Sequence, residues 1–176
     1  MKNIVTLGGS TSKNSINKVL AEYAGSLLGN VNLTKVDLNN FEMPLFSVDI
    51  ESDQGYSKGT IELNEVFEKA DGFVISLAEH NGVYAAAFIN AYDWLSRLKG
   101  NVWRNKPVLL LSTSPGPMGG KFVLEIAGNK FPRMGANIIG SMSFPSFYDN
   151  FKDGTIINAE LKVDFLKLVK EFEKSL

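Results

Sequence analysis

The sequence predicts an α/β fold in which helices cover both faces of one parallel sheet, and three observations support this. Short β-branched or aliphatic runs alternate along the chain with longer runs of helical spacing. The short runs are continuously apolar, which is typical of strands buried on both faces of a parallel sheet. The 176 residues, 44% of them hydrophobic and 21% charged, suffice for one buried core. We therefore expect a single domain over residues 1–176.

The strands are predicted from the positions of the short apolar runs. They are Ile4–Leu7, Val31–Val36, Phe73–Leu77, Val108–Leu111 and Ile138–Ile139, each ending near Gly, Ser, Asp or Asn. Right-handed crossover connections between such strands give an open, doubly wound sheet. Five strands in a chain of this length fit a three-layer, flavodoxin-like sandwich of strand order 2-1-3-4-5 better than a six-stranded Rossmann domain.

Five helices are predicted between and after these strands. The first carries an apolar stripe and is expected to end at Gly29; the stripe consists of Ile16, Val19, Leu20, Tyr23, Ala24 and Leu27. The others are part of Tyr56–Lys69, about Ala85–Leu98, Gly120–Met134 and about Asn158–Lys174. Two segments are predicted to be loops, namely Phe41–Ser57 and the aromatic-rich Phe144–Phe151.

Composition excludes several kinds of site and partner. The chain has no cysteine and one histidine, so disulfides, cysteine nucleophiles, thiolate-ligated metals and multi-histidine centres are excluded, and we expect no metal site. The net charge of −1 lacks the basic excess of a nucleic-acid-binding protein, so no nucleic-acid partner is expected. The apolar run at Ile4–Leu7 is too short for a signal peptide or a membrane span. We therefore expect a cytoplasmic protein without a membrane partner.

The loop after the first predicted strand is rich in hydroxyl groups. It reads Gly8-Gly9-Ser10-Thr11-Ser12-Lys13-Asn14-Ser15 and opens the first predicted helix. The free N–H groups and the dipole of a helix N-terminus favour an anion, and the serine hydroxyls add donors. Plain capping is the alternative, because Ser and Asn also cap helices. The loop lacks both the Rossmann dinucleotide motif and the P-loop motif.

Two further strand-to-helix loops are unusual, and ligands of an open parallel sheet bind where such loops meet. The loop after the third strand is Ala78-Glu79-His80-Asn81-Gly82-Val83-Tyr84, and the loop after the fourth is Ser112-Thr113-Ser114-Pro115-Gly116-Pro117-Met118-Gly119-Gly120. The glycines of the latter permit close approach of backbone to a flat ligand, and its prolines stiffen it. A tight βα turn is the alternative, although about 2–6 residues suffice for one.

These loops resemble the motifs of the NADPH-dependent FMN reductase family of flavodoxin-like oxidoreductases. The family's Gly-Ser-x-Arg-x-x-Ser-x-Asn-x-x-Leu is similar to Gly9–Leu20, and its Pro-Glu-Tyr-Asn-Gly/Ser loop is similar to Ala78–Gly82. Its Lys-Asn-x-x-Asp-Trp-x-Ser-Arg helix is similar to Ile89–Arg97, and its Ser-Pro-Gly-x-x-Gly-Gly loop is matched by Ser114–Gly120. The resemblance extends from the first strand to about Gly140.

The resemblance implies an FMN-dependent oxidoreductase that passes hydride from NADPH or NADH through FMN to a small acceptor: a quinone, azo or nitro compound, metal oxyanion or free flavin. It implies that the first loop holds the FMN phosphate, through Ser10, Ser12, Lys13, Ser15 and Asn17. It implies that the other two loops cradle the flavin ring, through Glu79, His80, Asn81, Gly82, Ser112, Ser114, Pro115, Gly116, Gly119 and Gly120. A homodimer or a dimer of dimers is also expected from the family.

Within its loops the chain departs from the family pattern at three positions. Ser12 stands where the family often has Arg, and the adjacent Lys13 is expected to supply the charge. Ala78 and His80 replace the usual Pro and Tyr beside the flavin. His80 is expected to contact the ring and is a candidate proton donor, because imidazole titrates near neutrality; a solvated histidine is the alternative. Glu79 is expected to orient its loop by binding backbone N–H groups.

Outside the loops, side-chain roles are predicted from spacing. Trp94 is expected to lie in the core or in a subunit interface, and Asp93 and Arg97 are expected to form an i, i+4 ion pair. The aromatic side chains near the last helix are expected to anchor that helix, with a wall for a neighbouring subunit's flavin site as the alternative; they are Phe144, Phe147, Tyr148 and Phe151.

Two other function classes remain open from the sequence. One is an electron-carrier flavoprotein that is reduced by a partner protein; such carriers are usually strongly acidic, and a net charge of −1 provides little electrostatic steering. The other is a non-catalytic protein that keeps the fold without the cofactor, for which the changes at Ser12 and His80 are the support.

Overall fold

The computed structural model describes residues 1–176, without the side chain of residue 99. The strands are β1 (Lys2–Gly9), β2 (Val31–Val36), β3 (Gly72–Leu77), β4 (Glu79–His80), β5 (Val83–Tyr84), β6 (Lys106–Thr113), β7 (Ala136–Phe144), β8 (Phe151–Lys152) and β9 (Thr155–Ile156). The helices are α1 (Ile16–Ser26), α2 (Val48–Gln54), α3 (Lys58–Glu68), α4 (Ala86–Lys99), α5 (Lys121–Lys130), α6 (Phe147–Asn150) and α7 (Ala159–Lys174), with 3₁₀ turns at Leu38–Asn40 and Phe131–Met134. None of the described helices is long and apolar enough to cross a membrane.

Five strands form one parallel sheet in the order β2-β1-β3-β6-β7. Counted along the chain, these are the second, first, third, fourth and fifth strands of the sheet, so the predicted flavodoxin-like order is confirmed. β3 is buried along its whole length, whereas the edge strand β2 has exposed residues between partly buried ones. The order reverses between β1 and β3, and their loops therefore separate there and leave space for a ligand at the carboxyl edge.

The sheet separates two cores, because successive side chains of each strand point to opposite faces. On one face Val5 and Phe73 pack with side chains from α3, α4 and α5, including Phe67. On the other face Ile4 and Val74 pack with side chains from α1 and α7. A strand buried in this way has no polar face, which is why its sequence is continuously apolar.

The first helix is shorter than predicted. Ser15 caps it by accepting the Lys18 N–H at Oγ over 3.2 Å, and it ends at Ser26 with Leu27 as its C-cap. Gly29, the predicted end, lies beyond the helix, and its N–H donates to the Glu173 carboxylate of α7 over 2.6 Å. Gly29 thus links the segment after α1 to α7 through a hydrogen bond and does not terminate α1.

The predicted loop at Phe41–Ser57 contains α2, which buries none of its residues and so has no apolar periodicity to reveal it. The segment before α2 is bonded to α4. The Pro44 carbonyl accepts hydrogen bonds from Trp94 Nε1 over 2.8 Å and Asn90 Nδ2 over 3.0 Å, and Asn90 Oδ1 accepts the Phe46 N–H over 2.8 Å. Trp94 is fully buried, as expected of a core residue.

The predicted ion pair between Asp93 and Arg97 is replaced by a different one. Arg97 Nε donates to both carboxylate oxygens of Glu51 in α2, at 3.0 and 2.9 Å. Glu51 is distant in sequence, so helical spacing alone could not indicate it. Asn90, Trp94 and Arg97 therefore all bind the same 44–51 segment, which gives this helical motif a structural role.

The predicted loop at Phe144–Phe151 contains the short helix α6 and leads into the β8–β9 hairpin. Phe144, Phe147 and Phe151 are buried beneath α7 in the same core as Phe165. They anchor the last helix, as expected. Tyr148 does not, because 60% of it is exposed.

Candidate functional site

A cleft of about 230 Å³ opens at the carboxyl edge of the sheet, where the loops after β1, β3 and β6 meet. Eight residues predicted from the sequence line it: Ser10, Ser12, Ser15, Asn17, Glu79, His80, Ser114 and Pro115. Five further lining residues were not among the predicted cofactor-binding residues, namely Asn14, Ile16, Ala78, Thr113 and Tyr148. The volume is below the roughly 300–1,000 Å³ of most ligand pockets, so a cofactor-sized ligand would be partly exposed.

The first loop supplies hydrogen-bond donors to the cleft. Ser10 Oγ accepts the Ser12 N–H over 3.1 Å, which shapes the loop, and Ser15 caps α1. The Ile16 and Asn17 N–H groups, in the first turn of α1, have no partner within the helix. The Ser12 hydroxyl has no hydrogen-bond partner among the described residues. Capping and anion binding are therefore compatible, because Ser15 caps while these other groups remain available.

Positive side chains contribute little to the cleft. No lysine or arginine is among the described residues that line it. Lys13 does not line the cleft and lies instead on an adjoining groove of about 400 Å³. An anion in the cleft would therefore depend on N–H groups, hydroxyls and the α1 dipole.

Lys18, which also borders the groove, is bound to Asp37. Its Nζ lies 2.5 Å from Asp37 Oδ2, and this hydrogen bond raises the pKa of Lys18 and lowers the pKa of Asp37. Asp37 Oδ1 accepts a hydrogen bond from Asn39 Nδ2, which also donates to the Thr11 carbonyl over 3.1 Å. This network braces the first loop against the end of β2.

Asn81 and Gly82 were expected to touch a flavin but do not line the cleft. They form the two-residue turn of the β4–β5 hairpin, with φ values of 53° and 78°. Positive φ at both positions is characteristic of a type I′ turn, for which Asn-Gly is the strongest sequence signal. That signal could have predicted the hairpin, whose first strand brings Glu79 and His80 to the cleft.

Glu79 binds a backbone N–H, as predicted. Its Oε2 accepts the Val123 N–H over 3.0 Å, in the first turn of α5. The N-cap residue of α5 is Gly120, which has no side chain to provide a cap. Glu79 therefore caps α5 from another loop and fixes the hairpin relative to that helix. His80, next to it, is exposed.

Three predicted residues at the end of β6 and in the loop after it do not line the cleft. Ser112 is buried, and its hydroxyl donates to the Gly119 carbonyl over 2.8 Å. Gly119 and Gly120 have φ values of 58° and 74°, and a Cβ on Gly119 would lie 2.5 Å from Ser143 Oγ. Both glycines are therefore needed for the turn, and Gly119 is also needed for packing against β7. Gly116 does not line the cleft either.

The same loop is fastened to the segment that holds Tyr148. The Ser146 N–H donates to the Gly116 carbonyl over 2.9 Å, and the Phe147 N–H donates to the Ser114 carbonyl over 3.1 Å. Tyr148 is thereby held at the rim of the cleft. Its phenolic hydroxyl, which favours a partly wet position, is the only sequence feature that distinguishes it from its buried phenylalanine neighbours.

Comparison with known proteins agrees with this architecture. The quinone reductase of Escherichia coli (strain K12) is 33% identical over 121 residues, which are 66% of this chain and 62% of that protein. The NADPH:quinone oxidoreductase of Arabidopsis thaliana is 29% identical over 126 residues, 67% of this chain and 61% of that protein. The chain thus spans less than two thirds of the length of these curated relatives.

Solved structures support the fold. The FerB flavoenzyme NAD(P)H:(acceptor) oxidoreductase of Paracoccus denitrificans superposes with a TM-score of 0.81 at 22% identity, covering 99% of this chain and 97% of that one. Residues 2–149 match the family model described as NADPH-dependent FMN reductase. Since this match covers most of the sequence, the chain belongs to the NADPH-dependent FMN reductase family.

Proposed function

We propose that this chain is an NAD(P)H oxidoreductase that binds FMN in the cleft and reduces a small acceptor, with a quinone as the acceptor class. The observation that carries the proposal is the set of available donors at the α1 N-terminus, on the carboxyl edge of the sheet. Family membership supports FMN and a nicotinamide as the cofactors. The names of the two curated relatives support a quinone.

The residues of the cleft fit FMN. Hydroxyls and N–H groups are the donors that a phosphate needs, and we assign this end to Ser10, Ser12 and the first turn of α1. Glu79 is the one carboxylate among the described lining residues, and its Oε2 is occupied by the Val123 N–H. Apolar surface for a ring is provided by Ala78, Pro115 and Tyr148, which also line the cleft.

FMN, when bound, would supply the hydride and electron transfer between the nicotinamide and the acceptor. The protein binds and orients FMN and shields it from water. Glu79 fixes the hairpin against α5, and the hairpin then holds His80 at the rim. We assign His80 a contact with the flavin ring.

The small cleft supports a further part of the proposal, which is a homodimer or a dimer of dimers. At about 230 Å³ the cleft encloses only part of a cofactor-sized ligand. A second subunit over the exposed side would exclude water from the remainder and form part of the acceptor pocket.

The function is tested by steady-state turnover. Protein reconstituted with FMN is mixed with NADPH or NADH and a soluble naphthoquinone, and loss of nicotinamide absorbance is followed. We expect oxidation that requires the protein, FMN and the quinone.

Ser12→Ala should raise the Kd for FMN about tenfold, through loss of one charge-assisted hydrogen bond. Ser26→Ala, at the exposed far end of α1, is the matched control and should leave the Kd unchanged.

Three results would contradict the proposal. Absence of nicotinamide oxidation with FMN and quinone present excludes the oxidoreductase. Reduction of the bound flavin by a partner reductase, but by neither nicotinamide, would favour the electron carrier instead. Failure to bind FMN at all would favour the non-catalytic alternative.

A further inference from the structure

Asn17 lines the cleft, but its side-chain amide is already used by the protein. Oδ1 accepts the Ser76 hydroxyl over 2.7 Å and the Thr113 N–H over 3.0 Å, and Nδ2 donates to the Thr113 carbonyl over 3.0 Å. An amide has two acceptor sites and two N–H donors, so one N–H is left. The residue is 3% exposed. This side chain is therefore poorly suited to holding a phosphate.

These three hydrogen bonds place Asn17 at the junction of all three loops. Asn17 is in the first turn of α1, Ser76 lies in β3 two residues before Ala78, and Thr113 ends β6 next to Ser114. The β3–β6 pairing stops at Leu77 and Ser112, one residue before Thr113. The amide of Asn17 binds both the N–H and the carbonyl of Thr113. These hydrogen bonds replace the backbone hydrogen bonds that β3 no longer makes with β6 at this position.

Water cannot easily replace these bonds. Ser76 is fully buried, and Thr113 is 1% exposed. Removing one member of a buried hydrogen-bonded set leaves polar groups unsatisfied, which costs more than the bond itself contributes. The position of α1 relative to the ends of β3 and β6 is thus coupled to this one amide.

We propose that Asn17 is a positioning residue, which holds the α1 N-terminus in register with the ends of β3 and β6 and does not bind the ligand through its side chain. The proposal rests on the proposed function, because it takes the cleft to be the FMN site. It replaces the expectation that Asn17 is a phosphate ligand. Loss of a positioning residue weakens binding of both the phosphate and the ring of FMN, whereas loss of a residue that binds the phosphate weakens binding of the phosphate alone.

Riboflavin, which is FMN without its phosphate, distinguishes the two roles. We expect Asn17→Ala to weaken FMN and riboflavin binding by the same factor, on the order of tenfold. Ser12→Ala should weaken FMN about tenfold and leave riboflavin within about twofold. The visible spectrum of bound FMN should also change in Asn17→Ala and not in Ser12→Ala, because only the former displaces the ring-side loops.

Ser76→Ala is the second variant, since it removes one partner of the amide without touching α1 and keeps a small buried side chain. It should weaken both flavins equally, by about threefold, with an unchanged circular dichroism spectrum. Loss of FMN affinity alone in Asn17→Ala would overturn the proposal and make Asn17 a phosphate ligand. Unchanged affinity for both flavins in Asn17→Ala would overturn it as well.

Amide hydrogen exchange in the flavin-free protein separates this proposal from the proposed function. We expect Asn17→Ala to accelerate exchange of the Thr113 N–H and to leave the α7 amides unchanged. Wild-type protein that binds neither flavin would contradict the proposed function, while faster Thr113 exchange would still support the positioning role. Unchanged Thr113 exchange would contradict the positioning role.

Discussion

Among single residues, Lys18 and Asp37 have a direct effect on how stability depends on pH. Their hydrogen bond lowers the pKa of Asp37 below its ordinary 3.8 and raises the pKa of Lys18 above 10.5. A lowered carboxyl pKa stabilises the fold above 3.8, and this contribution is lost as the pH falls through the folded value. The Lys18 contribution is complete below 10.5 and is lost as the pH rises through the raised value.

Asp37→Asn should therefore flatten the acid side of the stability profile. We expect the free energy of unfolding at neutral pH to fall by no more than about 1 kcal/mol, because both side chains are partly exposed. Below pH 3.8 the difference from wild type should shrink. Urea unfolding across a pH series measures this, with the exposed Asp53→Asn as control. A difference that stays constant through the acid range would exclude this pair as the cause.

The sequence could predict which loops meet, but not which of their side chains face the cleft. Gly119 belongs to a motif that also suits a flavin contact, yet it is required by its contacts with Ser143 and Phe144 of β7. Asn17 likewise bonds to Ser76 and Thr113, far away in sequence. Local spacing contains no information on such partners.

At the level of elements, the β4–β5 hairpin depends on its two-residue turn. Gly82 has φ +78°, and a Cβ there would meet no atom within 4 Å. Gly82→Ala should therefore cost about 1–2 kcal/mol of unfolding free energy, from backbone conformation alone. Gly128 is exposed within α5 with equally open space, and Gly128→Ala should stabilise by about 0.5–1 kcal/mol.

Urea unfolding of the two variants compares an alanine in left-handed conformation with one in a helix. Because neither methyl group meets a neighbour, opposite signs are expected. A neutral Gly82→Ala would contradict the assignment of the turn and of the hairpin that presents Glu79 and His80. Gly128→Ala also shows that the assay resolves changes of this size.

The strands of the main sheet were predictable from their continuous apolar runs and the long helices from their apolar periodicity, whereas the small elements were not predictable. α2 buries no residue and α6 has only four residues, so neither has a periodic pattern. The hairpins carry a different signal in their turns, Asn81-Gly82 and Asp153-Gly154, where both residues have positive φ. Turn chemistry would have revealed what periodicity does not.

For the whole molecule, the position of the cleft follows from strand order. A continuously apolar β3 must lie inside the sheet, and right-handed crossovers then place β1 next to it with the two loops diverging. The order was predictable for that reason. The α1 N-terminus was likewise predicted as a source of positive potential, but the charge expected from Lys13 lies on the adjoining groove instead.

The central claim is that this cleft binds FMN for reduction by a nicotinamide, and an anaerobic absorbance titration tests it most directly. Protein with bound FMN is recorded before and after NADPH, and again after addition of a quinone. We predict a visible flavin spectrum that differs from that of free FMN, is bleached by NADPH and returns with the quinone. A spectrum identical to that of free FMN, or one that neither NADPH nor NADH bleaches, would contradict the account.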